Sequence, residues 1–550
     1  MLDPTPCVET LDLSADQASA WETLSARLGA HGIDLSSDGD HPVPEADGNA
    51  EVLAVIGKAG SGKTVLLAQL ARALRAAGID PVTAEDAYRR RHEKRSFAVL
   101  APTNKAVSVL RGRGVPASTL HRIMYTPVYD PEYQKVADWL EGERKSRPEV
   151  EGLTAEAMDK AKAAFDTHGS VAGALAAAGL RGSDFITGWK RREDPLDIAL
   201  VDEASMVDSK QLEDLAEIFR LIVLFGDPAQ LAPVGERGAM VFETLPAGRQ
   251  FHLSRIHRQA ADNPILDLAH ALADPDLEFH AFERMIDEAA ARDERVVVAP
   301  RADPDLMTTS PMLVWRNKTR IRLIAGFRHA HNVPPGTLVT GEPLVCDGLE
   351  LPLKQRKHRA ELESHGLVKG AHARYRGPGR KPNYARVDVV STEEGPISVA
   401  AIIQVEQPEG EALMPAAARM GAMFLHGAAV TIHKAQGSQW PRVQVFAPDL
   451  FAAARAGQSE AGIALWKRLA YVAITRAEEQ LIWVRRAALA RPEAPLAAEI
   501  ATPAAAAMTA GATAVDNALD GATAGGKAVA GVRAGGEDGG QAVSPTGGAG

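Results

Sequence analysis

Cysteine is nearly missing from this chain: Cys7 and Cys346 are the only two in 550 residues. They are too few and too far apart for a disulfide framework or a thiolate metal site, so a reducing, cytoplasmic setting is expected. No apolar run approaches the ~18 residues that a membrane-spanning helix needs, which excludes a membrane partner of that kind. The opening Met-Leu-Asp-Pro-Thr-Pro lacks the basic and apolar regions of a secretion signal. An excess of positive charge is lacking too, since the net charge is −10. That excludes a uniformly basic nucleic-acid binder but leaves room for a local basic groove on an acidic protein. What is present, 45% hydrophobic and 24% charged residues, is ordinary for a globular protein. The length implies roughly three or four domains.

One stretch organises the rest. An apolar run at 52–56 leads into Gly57-Lys58-Ala59-Gly60-Ser61-Gly62-Lys63-Thr64, and residues 64–74 then carry apolar side chains at helical spacing. Strand, glycine-rich turn and helix is the setting in which G-x-x-x-x-G-K-[ST] cradles phosphate. The glycines let backbone N–H groups close around the anion, and the helix N-terminus adds positive potential. Gly57, Gly60, Ser61 and Gly62 form that cradle, Lys63 reaches the β- and γ-phosphates, and the Thr64 hydroxyl holds Mg²⁺. Further on, an apolar strand at 197–201 delivers Asp202-Glu203-Ala204-Ser205 at its carboxyl end. There Asp202 joins the Mg²⁺ shell, and Glu203 orients and deprotonates the attacking water. Strands at 97–101 and 220–225 end in Pro102-Thr103-Asn104-Lys105 and Gly226-Asp227-Pro228-Ala229-Gln230. Four strand ends of this kind imply one doubly wound parallel sheet with its site along one edge.

The remaining segments fit around this frame. Ser14 and Gln17 have the spacing of a helix capping box, and capping alone accounts for Gln17 at this point. The basic run at 89–95 reads as a solvated connection. Residues 129–195 form a charged, alanine-rich insertion of helical character. From 333 to 424 Gly and Pro punctuate short β-like runs, and a basic patch there includes Lys354, Arg356, Lys357, Arg359, Lys369, Arg374, Arg376, Arg380 and Lys381. Phosphate contact and a plain solvated loop account for that patch equally well. Trp440 lies beside a strand and is assigned to core packing rather than base stacking. The last 50 residues hold 16 Ala and 12 Gly, too little apolar surface to offset ordering entropy, so 491–550 is expected to be a disordered tail.

Taken in order, seven blocks resemble a superfamily 1 helicase. They are Gln17; the glycine-rich loop; Ala101-Pro-Thr-Asn-Lys105; Asp202-Glu-Ala-Ser205; Gly226-Asp-Pro-Ala-Gln230; Arg258-Gln259; and Thr431-Ile-His-Lys-Ala-Gln-Gly-Ser438 together with Ala473-Ile-Thr-Arg476. The wording of Thr119-Leu-His121, His257-Arg-Gln259 and Thr431 to Gly437 is similar to the RecD/Dda branch. The resemblance implies an α/β protein of two RecA-like P-loop domains, parallel sheets flanked by helices. The first would span 1–245 with the helical insertion at about 129–195. The second would span 246–332 and 425–490, interrupted by a small β-rich, SH3-like insert at 333–424.

The resemblance also assigns roles. Gln17 would meet the adenine and Gln230 would sense the γ-phosphate. Arg258 and Arg476 would act as arginine fingers, and Gly437 would lie on the nucleotide side. Single-stranded DNA would run over Pro102, Thr103, Asn104 and His121 of the first domain and Asn317, Lys318, Thr431 and His433 of the second. Such backbone contacts carry no sequence preference. The implied function is an ATP- and Mg²⁺-dependent DNA helicase moving 5′ to 3′ on single strands and tailed duplexes, in repair, recombination or replication. The alternative is a single-strand-dependent ATPase that remodels partner proteins with little unwinding. The 129–195 insertion would be either a strand-separating element or a protein-docking module, and the tail is a second place for protein partners.

Overall fold

In the computed structural model the described residues are 13–36, 41, 50–83, 95–168, 171–180, 186–193, 195–233, 240–254, 263–350, 361–363, 365–390, 395–418 and 420–497. In chain order the first nine strands are β1 (Glu51–Gly57), β2 (Asp80–Pro81), β3 (Ser96–Ala101), β4 (Ala117–Thr119), β5 (Tyr125–Tyr129), β6 (Ile186–Arg191), β7 (Leu196–Val201), β8 (Phe219–Gly226) and β9 (Gln250–Leu253). Seven of them make one sheet in the order β2-β3-β7-β8-β1-β9, with β4 also on β3. Its ladders are parallel. A parallel sheet needs cover on both faces, which is why β1, β3, β7 and β8 are buried almost from end to end. Because side chains alternate along a strand, Leu53 and Val55 enter one core while Val52, Ala54 and Ile56 enter the other.

The second sheet has five parallel strands, ordered β10-β22-β19-β11-β18. They are β10 (Val296–Ala299), β11 (Met312–Val314), β18 (Ala429–Thr431), β19 (Trp440–Phe446) and β22 (Ala477–Val484). Between β11 and β18 the chain leaves the sheet to build β12 (Pro343–Glu350), β13 (His372–Pro378), β14 (Tyr384–Val389), β15 (Ile397–Val405), β16 (Leu413–Ala417) and β17 (Gly421–His426). Their order is β14-β13-β12-β17-β15-β16, and a β14–β15 pairing closes the ring into a small barrel. Glu342, wholly buried, anchors the barrel to the second domain. It accepts from the Val339 N–H at 2.7 Å, lies 3.0 Å from His426 Nε2 and is 3.3 Å from Arg328 Nη1 on the helix Asn317–Ala330.

Several sequence expectations need correction. The domain boundary at 245/246 falls too early, because β9 adds to the first sheet beside β1. The barrel runs to His426, past the expected limit of 424, since β17 pairs with β12 as far as that residue. The insertion at 129–195, expected to be of helical character, is framed by strands: β5 and β6 form an antiparallel ribbon. Beyond the ribbon, three helices (Pro131–Glu141, Ala155–His168 and Val171–Ala177) share a separate small core. The tail does not begin at 491. Leu496 packs against Gly341 and the Ala497 N–H donates to the His331 carbonyl, so apolar contact orders the chain to that point. Residues 498–550 lie outside the described residues, as do 89–94 of the basic run and Lys354, Arg356, Lys357 and Arg359. Arg95, expected in solvent, is buried as an ion pair with Asp197, and its Nη1 donates to the His31 carbonyl at 2.7 Å. Trp440 is core, as expected.

Candidate nucleotide site and single-strand path

The glycine-rich loop takes its shape from two left-handed residues, Gly60 (φ +85°) and Gly62 (φ +82°). A methyl group on Gly62 would lie 2.1 Å from Gln17 Nε2 and would displace that amide, and the left-handed φ itself favours glycine. Gln17 does two things at once. Its Oε1 accepts from the Ser14 N–H in a complete capping box, and its Nε2 donates to the Ser61 carbonyl at 3.2 Å. Capping therefore holds Gln17 against the loop rather than competing with a place there. Lys63 Nζ donates to the Gly57 and Lys58 carbonyls at 2.5 and 3.0 Å and stands 3.8 Å from Asp227 Oδ2. Ser61 Oγ is buried and makes no hydrogen bond, a donor for which a phosphate oxygen is a natural acceptor.

At the end of β7 the two acids meet the loop. Glu203 has φ +52° and ψ +42°, a left-handed conformation that costs a non-glycine residue about 1–2 kcal/mol. Its N–H donates to Asp202 Oδ1 at 3.0 Å. Burial, and then the Glu203 carboxylate, push the Asp202 pKa up to about 7, against the opposing pull of Lys63 and Arg113. A buried Asp202 beside the half-buried Glu203, with the Thr64 hydroxyl in the first turn of the helix that follows the glycine-rich loop, offers hard oxygen ligands suited to a divalent cation. Among the described residues no group of three or more His, Cys, Asp or Glu could hold a metal alone. Asp202 and Thr64 would therefore share Mg²⁺ with phosphate and water, which is that ion's usual habit.

Gln230 is buried and accepts from the Ser205 hydroxyl at 2.9 Å, tying the loop after β8 to the one after β7. The same loop is gripped from the second domain by the helix Leu465–Ile474, every residue of which is buried. The Tyr471 hydroxyl donates to Asp227 Oδ2 and accepts from the Ala59 N–H, both at 2.8 Å. Arg468 Nη1 donates to the Pro228 carbonyl at 3.0 Å and to that of Gln230. Burial raises the Tyr471 pKa well above that of free tyrosine and lowers that of Arg468. Of the two expected arginine fingers, Arg476 lies among the described residues. Arg476 is buried, with bonds to the Val472 and Ser438 carbonyls and Thr475 Oγ1, all in the second domain. Arg258 lies outside the described residues.

The expected strand contacts begin at matching turns. Thr103 caps the helix Asn104–Gly112 by accepting from the Ala106 N–H (3.2 Å), and Thr431 caps Ile432–Ala435 by accepting from the Lys434 N–H (3.4 Å). The two domains meet here. Gly437 (φ +74°) comes so close that a methyl group on it would lie 3.2 Å from Thr103 Oγ1 and 3.7 Å from Ala106 Cβ. Gly437 thus packs against the strand-path turn. Pro102 and Asn104 are half-buried beside Thr103, and His433 is half-buried with its pKa lowered by burial. Asn317 and Lys318 are exposed at the start of their helix. The wholly buried Asp449 fixes that helix start. It accepts from the Trp315 and Arg316 N–H groups (2.8 and 2.7 Å) and from Thr319 Oγ1 (2.8 Å), and it pairs with the Arg316 guanidinium.

Residues 45–294 match the family model of an AAA domain, and residues 426–484 match that of the UvrD-like helicase C-terminal domain. The first match spans the glycine-rich loop and both acids. The second spans β18, β19 and β22 with the Tyr471 helix between them. Together the two matches support a superfamily 1 helicase.

The helicase is 27% identical over 311 residues to conjugal transfer protein TraA of Agrobacterium fabrum, covering 53% of this chain and 25% of that one. It is 38% identical over 81 residues to the ATP-dependent RecD2 DNA helicase of Deinococcus radiodurans, covering 14% and 11%. The crystal structure of the Pif1 helicase from Candida albicans aligns with a TM-score of 0.42 at 16% identity, over 88% of this chain and 98% of that one. The chain spans a quarter or less of the length of the curated relatives it matches.

Arg468, Tyr471 and Asp449 of this helicase were not singled out from sequence. A signal did exist for the first two: they lie three apart, on one face, in a helix otherwise almost wholly apolar. For Asp449 there was none, because its five donors come from a segment more than 120 residues away.

Proposed function

We propose that this helicase hydrolyses ATP between its two parallel-sheet domains and uses the cycle to move along single-stranded DNA, 5′ to 3′, unwinding duplex ahead of it. One observation carries the reading. The second domain holds, through Tyr471 and Arg468, the same Asp227–Gln230 loop that meets Lys63 of the glycine-rich loop and Ser205, just after the acid pair. A change of charge at the γ-phosphate is therefore felt at once by both domains. In the reaction Lys63 leaves its loop carbonyls for the phosphate, Glu203 takes the proton of the attacking water, and Gln230 reads the γ-phosphate. Arg258 and Arg476 neutralise the transferring group once the second domain closes on it. Bound Mg²⁺ would supply further charge stabilisation at Asp202 and Thr64.

Single-stranded DNA is the proposed track, over the turns at Thr103 and Thr431, His121, His433 and the helix start at Asn317. Similarity to two proteins named conjugal transfer protein TraA favours single-strand handling during DNA transfer over repair as the setting. The deciding experiment is ATP-dependent displacement from matched duplexes tailed 5′ or 3′, with Lys63→Ala as control. Displacement from the 5′-tailed duplex alone is expected. Displacement from the 3′-tailed duplex alone would overturn the direction. DNA-stimulated hydrolysis without displacement of either would move the assignment to a remodelling ATPase.

A further inference from the structure

The inserted ribbon carries a feature that the nucleotide cycle does not use. Trp189, on β6 opposite Pro127 of β5, is 52% exposed. It is the one exposed tryptophan, phenylalanine or tyrosine among the described residues. Its ring is held nonetheless. His121 packs against it edge-on with centroids 4.3 Å apart, and His121 in turn lies 5.1 Å from Tyr125. The Tyr125 hydroxyl donates to Asp214 Oδ2 at 2.6 Å, and Arg191, two residues after Trp189, is 3.3 Å from Asp214 Oδ1. Both strands of the ribbon are thus pinned to the helix Ser209–Ile218, and a row Tyr125–His121–Trp189 ends in an open indole.

We infer that Trp189 stacks on a base of the bound single strand, so that the root of the ribbon belongs to the DNA-binding surface. The inference rests on the single-strand reading given above. A ring already ordered by its neighbour loses little freedom on stacking, and every base offers it a face. The surroundings suit a nucleobase better than a protein. Charged side chains flank the indole: Lys190 is paired with Glu193, and Arg122 stands beside His121. Arg122 also lies 4.0 Å from Glu363 of the barrel insert, so the row borders the seam between first domain and insert. The three-helix module beyond the ribbon has nine acidic and six basic residues over 131–177, which turns phosphates away from the module and toward the ribbon root.

The test is equilibrium binding of the full chain to an oligo-dT strand and to an abasic strand of equal length, by anisotropy, for wild type, Trp189→Ala and Trp189→Phe. Wild type should prefer oligo-dT, Trp189→Ala should weaken oligo-dT binding about tenfold while leaving abasic binding unchanged, and Trp189→Phe should retain most of the preference. Equal oligo-dT affinity in wild type and Trp189→Ala would overturn the inference. So would an equal loss on both strands, which would mark Trp189 as a support of the ribbon. If wild type binds neither strand, the single-strand reading itself falls, and the inference with it.

Discussion

At the scale of single residues, two kinds of contact deserve separate tests: those that make the nucleotide site and those that join it to the second domain. Lys63→Ala and Glu203→Gln should abolish ATP turnover and leave single-strand binding intact, because neither side chain lies on the proposed track. Stimulated hydrolysis in either variant, measured by phosphate release, would displace the site assignment. Tyr471→Phe keeps the ring and removes one hydroxyl from between Asp227 and the Ala59 N–H. A hydrogen bond to a charged group contributes about 1.5–3 kcal/mol, so the variant should lose roughly tenfold or more of DNA-stimulated kcat. Its KM for ATP should change far less. A change confined to KM would mean that the hydroxyl serves binding alone. Gly437→Ala places a side chain at φ +74° against Thr103 and should impair strand binding before nucleotide binding.

At the scale of elements, the insertions behave as separate pieces. The three helices at 131–177 bury their own core, so Leu175→Ala should cost about 2–5 kcal/mol locally. Hydrogen exchange should then quicken across those helices and stay unchanged in β1 and β7. The barrel brings a pH-dependent contact. His372 sits edge-on to Trp440 at 5.1 Å, and burial first, then nearby Lys105, lower its pKa to about 3. The unfolded chain, with a histidine pKa near 6.5, takes up the proton first. The stability that the neutral ring contributes is therefore complete above about pH 6.5 and is lost as pH falls toward 3. The melting midpoint should drop between pH 7 and 5, and His372→Gln should flatten that part of the drop. The ribbon itself was hard to see in the sequence. Tyr-Thr-Pro-Val-Tyr and Ile-Thr-Gly-Trp-Lys-Arg are short β-like runs separated by 56 residues of helix and loop, and only pairing across that gap makes them strands.

At the scale of the molecule, an acidic chain is proposed to bind a polyanion. Its single-strand affinity should fall steeply and linearly on a log–log plot against salt, since the contacts expected are to phosphates. A flat response would leave stacking as the main attraction. Local patterns alone determined the parallel sheets, the glycine-rich loop with its two acids, and the order of the motifs. An apolar strand, a glycine turn and a polar strand end each encode their geometry within about ten residues. Tertiary structure decided the rest: that β9 belongs to the first sheet, that Gln17 caps a helix and touches the loop together, and that Gly437 meets Thr103. It also decided that Tyr471 and Arg468 hold the loop after β8. These contacts join segments up to several hundred residues apart, and no local periodicity records which buried polar group will find which partner.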